Sequence, residues 1–267
     1  MTTLLDYPII YWDNNTGITK DIKLLGEEPL SIRIQGNPYA VVMRTPGNEL
    51  QHVAGFCLSE GIVDQPEDIA NLSFCEGEDT NVVTVTLKAS RRDKISQFLD
   101  RRGFISQTSC GLCGKEIVKD LQQAIRPMKN NTVIDIKRAF DCLEAISDHQ
   151  PLRRKTRAAH AAVLYDSDFE LLAAAEDVGR HNALDKVIGT LFLEHKLEKA
   201  AFLTLSSRIS YELVQKAARA RIPIILAISR PTSLAVELAS QLNMTLACPA
   251  DGSAFLVFCG EQRLAGF

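Results

Sequence analysis

The sequence lacks a surplus of either charge: 30 Lys and Arg stand against 33 Asp and Glu, a formal net charge of −3. A general binder of nucleic acid carries a basic excess, so this balance predicts no nucleic-acid partner. It also lacks any apolar run near the roughly 20 residues that cross a bilayer; PIILAIS and AFLVFC are far shorter. The opening MTTLLDYPIIYWDNN has no basic stretch and carries Asp6 early, unlike a secretory leader. No internal repeat or low-complexity tract occurs, which excludes solenoids and collagen-like chains. Cysteine is sparse and odd in number, seven in 267 residues, too few for a disulfide framework. Together these absences predict free thiols in a reducing, cytoplasmic setting, away from membranes.

What is present is the composition of an ordinary globular protein, 46% hydrophobic and 24% charged. The length suits one large or two small domains with a sizeable core. In the first third, LSIRI and YAVVMRT flank the turn-forming QGNP and predict a hairpin. Leu50, Val53, Ala54, Cys57 and Leu58 recur on one helical face. NVVTVTLKAS alternates as a half-buried strand, and Ile95, Phe98 and Leu99 predict a short helix. Residues 103–114, GFISQTSCGLCG, have no period and read as a mobile loop at a domain boundary. Two amphipathic helices are expected next, marked by Ile117 to Ile125 and by Ala139 to Ile146.

From residue 160 short apolar strands alternate with helices. HAAVLY and FELLAAAE form a hairpin, and AFLTL, IPIILAIS, MTLAC and AFLVFC are strands separated by helices. This rhythm predicts a largely parallel sheet covered on both faces. The expected fold is therefore α/β: a smaller α+β N-terminal domain over residues 1–105, and a three-layer α-β-α domain over 106–267.

Ligands of such sheets bind at the carboxyl ends of strands, where helix N-termini favour phosphate. Three junctions fit that pattern. They carry Gly179, Arg180 and His181; Ser206, Ser207 and Arg208; and Arg230 followed by Thr232 and Ser233. A fourth loop, Pro249, Ala250, Asp251, Gly252, Ser253 and Ala254, joins the rim if its strand is parallel to the others. The arginines suit bidentate phosphate contacts; serine and threonine in these places also serve as ordinary helix caps. The basic stretch LRRKTR at 152–157 either extends this surface or is simply solvated.

Cys110-Gly111-Leu112-Cys113 is the sharpest local feature. Structural zinc needs two further ligands, and no second CxxC exists. A redox dithiol wants a buried strand leading into it, whereas SQTS is polar. Relay of a sulfur atom by a thiolate is the third chemistry open to the pair, zinc stays possible, and two inert cysteines in a flexible loop are the plain alternative. Cys113 precedes a helix expected near Lys115, and both helix end and lysine would lower a thiol pKa. His160, at the start of an apolar strand, suits either a core or a ligand role.

TSCGLCGK (108–115), EDVGRHNALDKVIG (176–189), SSRISYELVQKA (206–217) and PTSLAVELA (231–239) together resemble the FdhD family, with FCLSEGIV (56–63) matching as well. The resemblance spans about residues 28–264. It implies a sulfurtransferase required for formate dehydrogenase activity. Cys110 would be loaded as a persulfide by a cysteine desulfurase, with Cys113 helping release. The acceptor would be the molybdenum bis(molybdopterin guanine dinucleotide) cofactor, before its insertion into the catalytic subunit of formate dehydrogenase. A homodimer and a cytidine-deaminase-like second domain are implied too. The sequence departs from the family at Ala158-Ala159, where glycines are usual, and in the 249–254 loop, which has no basic residue. A cofactor-delivering chaperone that moves no sulfur is the alternative.

Overall fold

The computed structural model describes residues 3–75, 81–94, 125–129, 131–251 and 254–266. Its first element is a hairpin that the sequence reading did not anticipate, β1 (Leu4–Asp13) and β2 (Thr16–Leu25). Asn14 and Asn15 form the two-residue turn, both with positive φ, the backbone that a tight hairpin demands and asparagine tolerates.

The hairpin expected around QGNP is β3 (Glu28–Ile34) and β4 (Asn37–Arg44). The turn itself is Gln35–Gly36, again both at positive φ. With β5 (Ile69–Phe74) and β6 (Val82–Leu87) they form a four-stranded sheet in the order β4-β3-β6-β5. Val83, Val85 and Leu87 are buried, as the alternation predicts. Helix α1 (Glu49–Ser59) is buried on nearly all sides. The helix expected at 95–99 lies outside the described residues, as does the one expected from Ile117 to Ile125 except for Ile125 itself, which is buried.

The second half is built on a six-stranded sheet in the order β13-β12-β11-β10-β8-β9. Its strands are β8 (His160–Tyr165), β9 (Leu171–Asp177), β10 (Phe202–Leu205), β11 (Ile224–Ala227), β12 (Thr245–Pro249) and β13 (Phe255–Cys259). Strands β10, β11 and β12 are parallel. The sheet as a whole is mixed rather than largely parallel. β8 runs antiparallel to β9 and β10, and β13 runs antiparallel to β12. The cause is loop length: the short β8–β9 and β12–β13 links can join only antiparallel neighbours.

Helices α2 (Ile136–Glu144), α3 (Pro151–Thr156), α4 (Arg180–Leu193), α5 (Tyr211–Arg219) and α6 (Ser233–Gln241) complete the fold. The small pair β7 (Ile134–Asp135) and β14 (Leu264–Ala265) lies beside α2. Alternating strand residues feed two cores. Leu164, Leu203 and Ile225 join α4, α5 and α6 on one face. Val163, Phe202 and Leu226 join Phe140 and Leu143 of α2 on the other. The first core continues through α1 to Leu30, Ile32 and Val85 of the N-terminal sheet.

Two glycines set how closely α1 and α4 approach. A Cβ on Gly55 would lie 1.9 Å from the Asp185 carbonyl oxygen, and one on Gly189 would lie 1.8 Å from that of Gln51. The backbones therefore touch where the helices cross, and no side chain fits between them.

Candidate functional site: a basic rim at one edge of the sheet

The carboxyl ends of β9, β10, β11 and β12 meet along one edge of the sheet, because β9 is antiparallel to β8 and β8 to β10. The first residue of β8, His160, reaches the same edge, in register with Asp177. Every described rim residue expected from the sequence lies along this edge. Cys110, Cys113, Gly252 and Ser253 fall outside the described residues.

At the first junction the chain turns from β9 into α4 within two residues, and Gly179 is the N-cap. Asp177 is fully buried. Its carboxylate accepts from the backbone of Thr45 at 3.0 Å and Gly179 at 2.9 Å, from the Asn182 amide at 2.9 Å and from Lys186 at 2.7 Å. Lys186 also donates to the Thr45 carbonyl at 2.8 Å. The residue before it, Asp185, accepts from Lys216 of α5 at 2.7 Å and from Ser59 of α1 at 2.8 Å. Burial still raises its pKa, against the pull of Lys216. The string EDVGRHNALDK thus divides. Asp177, Asn182, Asp185 and Lys186 face inward and fasten α4 to the N-terminal half; Arg180 and His181 remain partly exposed at the rim.

The outward residues are less satisfied. Nε of Arg180 and Nδ1 of His160 are buried without a hydrogen-bond partner among the described residues. Nε2 of His181 lies 3.3 Å from Ser210 Oγ and 3.9 Å from a Glu212 carboxylate oxygen. Burial, then Lys216 and Arg180, push His181 down to about 4, with Glu212 opposing. Burial, Arg180 and Arg153 lower His160 as well. Both imidazoles are neutral at neutral pH and so can donate or accept a hydrogen bond.

The second junction is longer than the sequence suggests. Ser206 does not cap the helix. Its hydroxyl accepts from the Ala161 N–H at 2.7 Å, extending the ladder between β10 and β8. Ser207 is buried and donates to the Arg208 carbonyl at 3.0 Å, while Arg208 itself is exposed. The N-cap of α5 is Ser210, whose side chain makes no capping bond. At the third junction Thr232 is a true cap, its hydroxyl accepting from Ala235 N at 3.3 Å. Ser233 and Arg230 are exposed. The Thr232 N–H donates to the Ile209 carbonyl at 3.0 Å, which laces the second and third junctions together.

The fourth loop leaves a strand that is parallel to β10 and β11, so the condition set by the sequence is met. Pro249 ends β12, and Ala250 and Ala254 close the loop through a 2.9 Å bond. Asp251 and Ala254 are exposed. The basic stretch at 152–157 is helix α3 and flanks the rim at its β9 end. Glu176 accepts from the first backbone N–H groups of α3, at 2.7 and 2.8 Å. Arg153 donates to the Ala159 carbonyl next to His160.

The edge therefore gathers three arginines, two neutral histidines and the N-termini of α4, α5 and α6. Chemically it can hold an extended anion such as a pyrophosphate. The inward-facing acids and lysines escaped the sequence reading, because an aspartate at a strand end reads the same whether it faces a ligand or a buried lysine.

Residues 25–265 match the model of the FdhD/NarQ family. The chain is 38% identical over 261 residues to the sulfur carrier protein FdhD of Mycobacterium tuberculosis, which covers 92% of this chain and 93% of that one. It is 36% identical over 255 residues to the protein of the same name from Sulfurisphaera tokodaii, covering 94% and 95%. It also superposes on a crystal structure from Desulfotalea psychrophila described as that of a formate dehydrogenase accessory protein. There the TM-score is 0.79 and the identity 22%, over 99% of this chain and 100% of that one.

Proposed function

The chain belongs to the FdhD/NarQ family, and from that premise we propose that it carries sulfur to the molybdenum cofactor of formate dehydrogenase. The observation that carries this reading is the CGLCG string at 110–114 in a chain so similar to proteins named sulfur carriers. The Cys110 thiolate attacks the terminal sulfur of a persulfide on a cysteine desulfurase. A sulfur–sulfur bond forms at Cys110 and the donor's cysteine leaves as thiolate. Attack by Cys113 on Cys110 then releases that sulfur as sulfide and leaves a disulfide, which cellular thiols reduce.

The acceptor is molybdenum bis(molybdopterin guanine dinucleotide), handled as cargo. The rim fits its guanine-dinucleotide ends. Arg180, Arg208 and Arg230 take pyrophosphate oxygens, the start of α4 offers backbone N–H groups, and the unpartnered Nε of Arg180 and Nδ1 of His160 are groups that a ligand would satisfy. The loaded cofactor passes to the formate dehydrogenase catalytic subunit. The carrier acts in the cytoplasm as a homodimer.

Whole-protein mass spectrometry after incubation with a desulfurase and cysteine tests the central step. A gain of about 32 Da, one sulfur atom, is expected on the wild type and not on Cys110→Ala. Equal loading of both removes the assignment. A Cys110→Ala/Cys113→Ala double variant that still activates formate dehydrogenase would establish cofactor delivery without sulfur transfer.

A further inference from the structure

The rim is rich in hydrogen-bond donors. Arg180, Arg208 and Arg230 can only donate, and so can the first backbone N–H groups of α4. Phosphate oxygens suit such a surface. A nucleotide also carries donors of its own, the ribose hydroxyls and the amino group of the base, and these need acceptors. His181 follows Arg180 directly at the start of α4, and its side chain keeps 35% of its surface open. Burial and the cations Lys216 and Arg180 keep it neutral, so one ring nitrogen donates and the other accepts. Which nitrogen accepts decides what the ring can recognise.

Two residues at the start of α5 bear on that choice. Ser210 is the N-cap but makes no capping bond, so its hydroxyl is available to other partners. Its Oγ lies 3.3 Å from Nε2 of His181. Burial would raise the pKa of Glu212, but its own backbone N–H, the Ser210 hydroxyl, His181 and Arg180 together lower it. Glu212 is therefore a carboxylate that accepts from Ser210. A hydroxyl has one proton to give, and a carboxylate attracts it more strongly than a neutral imidazole does. The Ser210 proton goes to Glu212, and Oγ is left to accept from His181. A Glu212 oxygen 3.9 Å from Nε2 favours a hydrogen on the same nitrogen. Nδ1 keeps its lone pair, and it has no hydrogen-bond partner among the described residues.

We propose that Glu212 and Ser210 are positioning residues that hold His181 in the Nε2–H tautomer, and that Nδ1 accepts a ribose hydroxyl of the bound nucleotide. The inference rests on the cofactor reading above and names the group that recognises the sugar. The ribose suits this place because it is the part of a nucleotide next to the phosphates, as His181 is next to Arg180. The amino group of guanine lies farther away, beyond the glycosidic bond. His181 thus tells a nucleotide from bare pyrophosphate, a distinction that arginines alone do not make.

Heteronuclear NMR of the full chain, labelled at the histidine nitrogens, reads the tautomer at neutral pH without any ligand. The proton should sit on Nε2 of His181 in the wild type and in Ser210→Thr, which keeps the hydroxyl. Ser210→Ala and Glu212→Ala should each show a mixture of the two tautomers. A proton on Nδ1 in the wild type, or an unchanged tautomer in both alanine variants, overturns the relay. Calorimetry then reads the contact, with guanosine diphosphate, its dideoxy form lacking both ribose hydroxyls, inosine diphosphate and inorganic pyrophosphate. His181→Phe should weaken guanosine diphosphate about 5–10-fold, the worth of one neutral hydrogen bond. The same substitution should cost the dideoxy form and pyrophosphate less than about 2-fold. Inosine diphosphate, which lacks only the amino group, should show the full loss. An equal loss for pyrophosphate or for the dideoxy form overturns the ribose contact, and so does a loss that vanishes with inosine diphosphate. A wild type that binds pyrophosphate as tightly as the nucleotide overturns the ribose contact and leaves the rim standing. One that binds neither overturns the rim reading and the ribose contact with it.

Discussion

Asp177 and Arg180 are three residues apart, yet Asp177 accepts four hydrogen bonds in a fully buried setting while Arg180 keeps its Nε without one among the described residues. The inward side of this segment joins α1, α4 and α5 through Ser59, Asp185 and Lys216, while Asp177 and Lys186 hold the start of α4 to Thr45. The outward side holds arginines and neutral histidines whose partners are few. A protein that must hold a ligand only for a time needs both: anchors that do not move, and donors left open for the visitor.

The sharpest way to break this comparison is to remove an anchor. Asp177→Ala leaves Lys186 buried with no carboxylate and two backbone N–H groups without an acceptor. A loss of about 3–5 kcal/mol is expected, measured by urea unfolding. A loss within about 0.5 kcal/mol, typical of surface changes, would show that the network carries no stability.

That network also marks where the sequence stops being legible. Strand alternation at Val83, Val85 and Leu87, and the helix stripe from Leu184 to Leu191, announce themselves because burial follows a fixed period. The rim residues announce themselves because strand ends in such sheets collect on one edge. Asp177, Asn182 and Lys186 do not, since the contacts that turn them inward include Met43 and Thr45, more than 130 positions away. LLDYPIIYWD hides for a different reason: it carries apolar residues on both faces, so no clean alternation identifies the strand. The mixed directions of the sheet depend on loop lengths, which the apolar rhythm does not encode.

A smaller effect is expected at the open side. Arg180→Ala and Arg208→Ala should each weaken guanine-nucleotide binding by about 1.5–3 kcal/mol, read by calorimetry, with stability changed by no more than about 0.5 kcal/mol. Unchanged affinity in both would remove the rim from the binding site. If Arg180→Ala instead unfolds the protein, the division between anchor and donor is drawn in the wrong place.

The smallest effect is a pH dependence. A histidine whose pKa falls on folding binds its proton more readily in the unfolded chain. His181, at about 4 in the folded protein, therefore adds stability that is complete above an unfolded value of about 6.5 and is lost as pH falls toward 4. His52, fully buried and lowered by desolvation and by Lys186, Lys216 and Arg44, acts in the same direction. His181→Gln should make the fall in melting temperature between pH 6.5 and 4 shallower without abolishing it. An unchanged profile would mean that His181 titrates alike in both states.

The crossing of α1 and α4 at Gly55 and Gly189 also governs the order of events at the ribosome. Helix α1 is buried almost all round, and the backbone it touches is encoded at least 130 residues later. At about 5–20 residues per second, this helix waits on the order of ten seconds for the segment that covers it. During that interval the nascent chain displays a sticky, unshielded helix. The glycine pair that makes the finished molecule compact therefore makes its birth dependent on whatever shelters that helix.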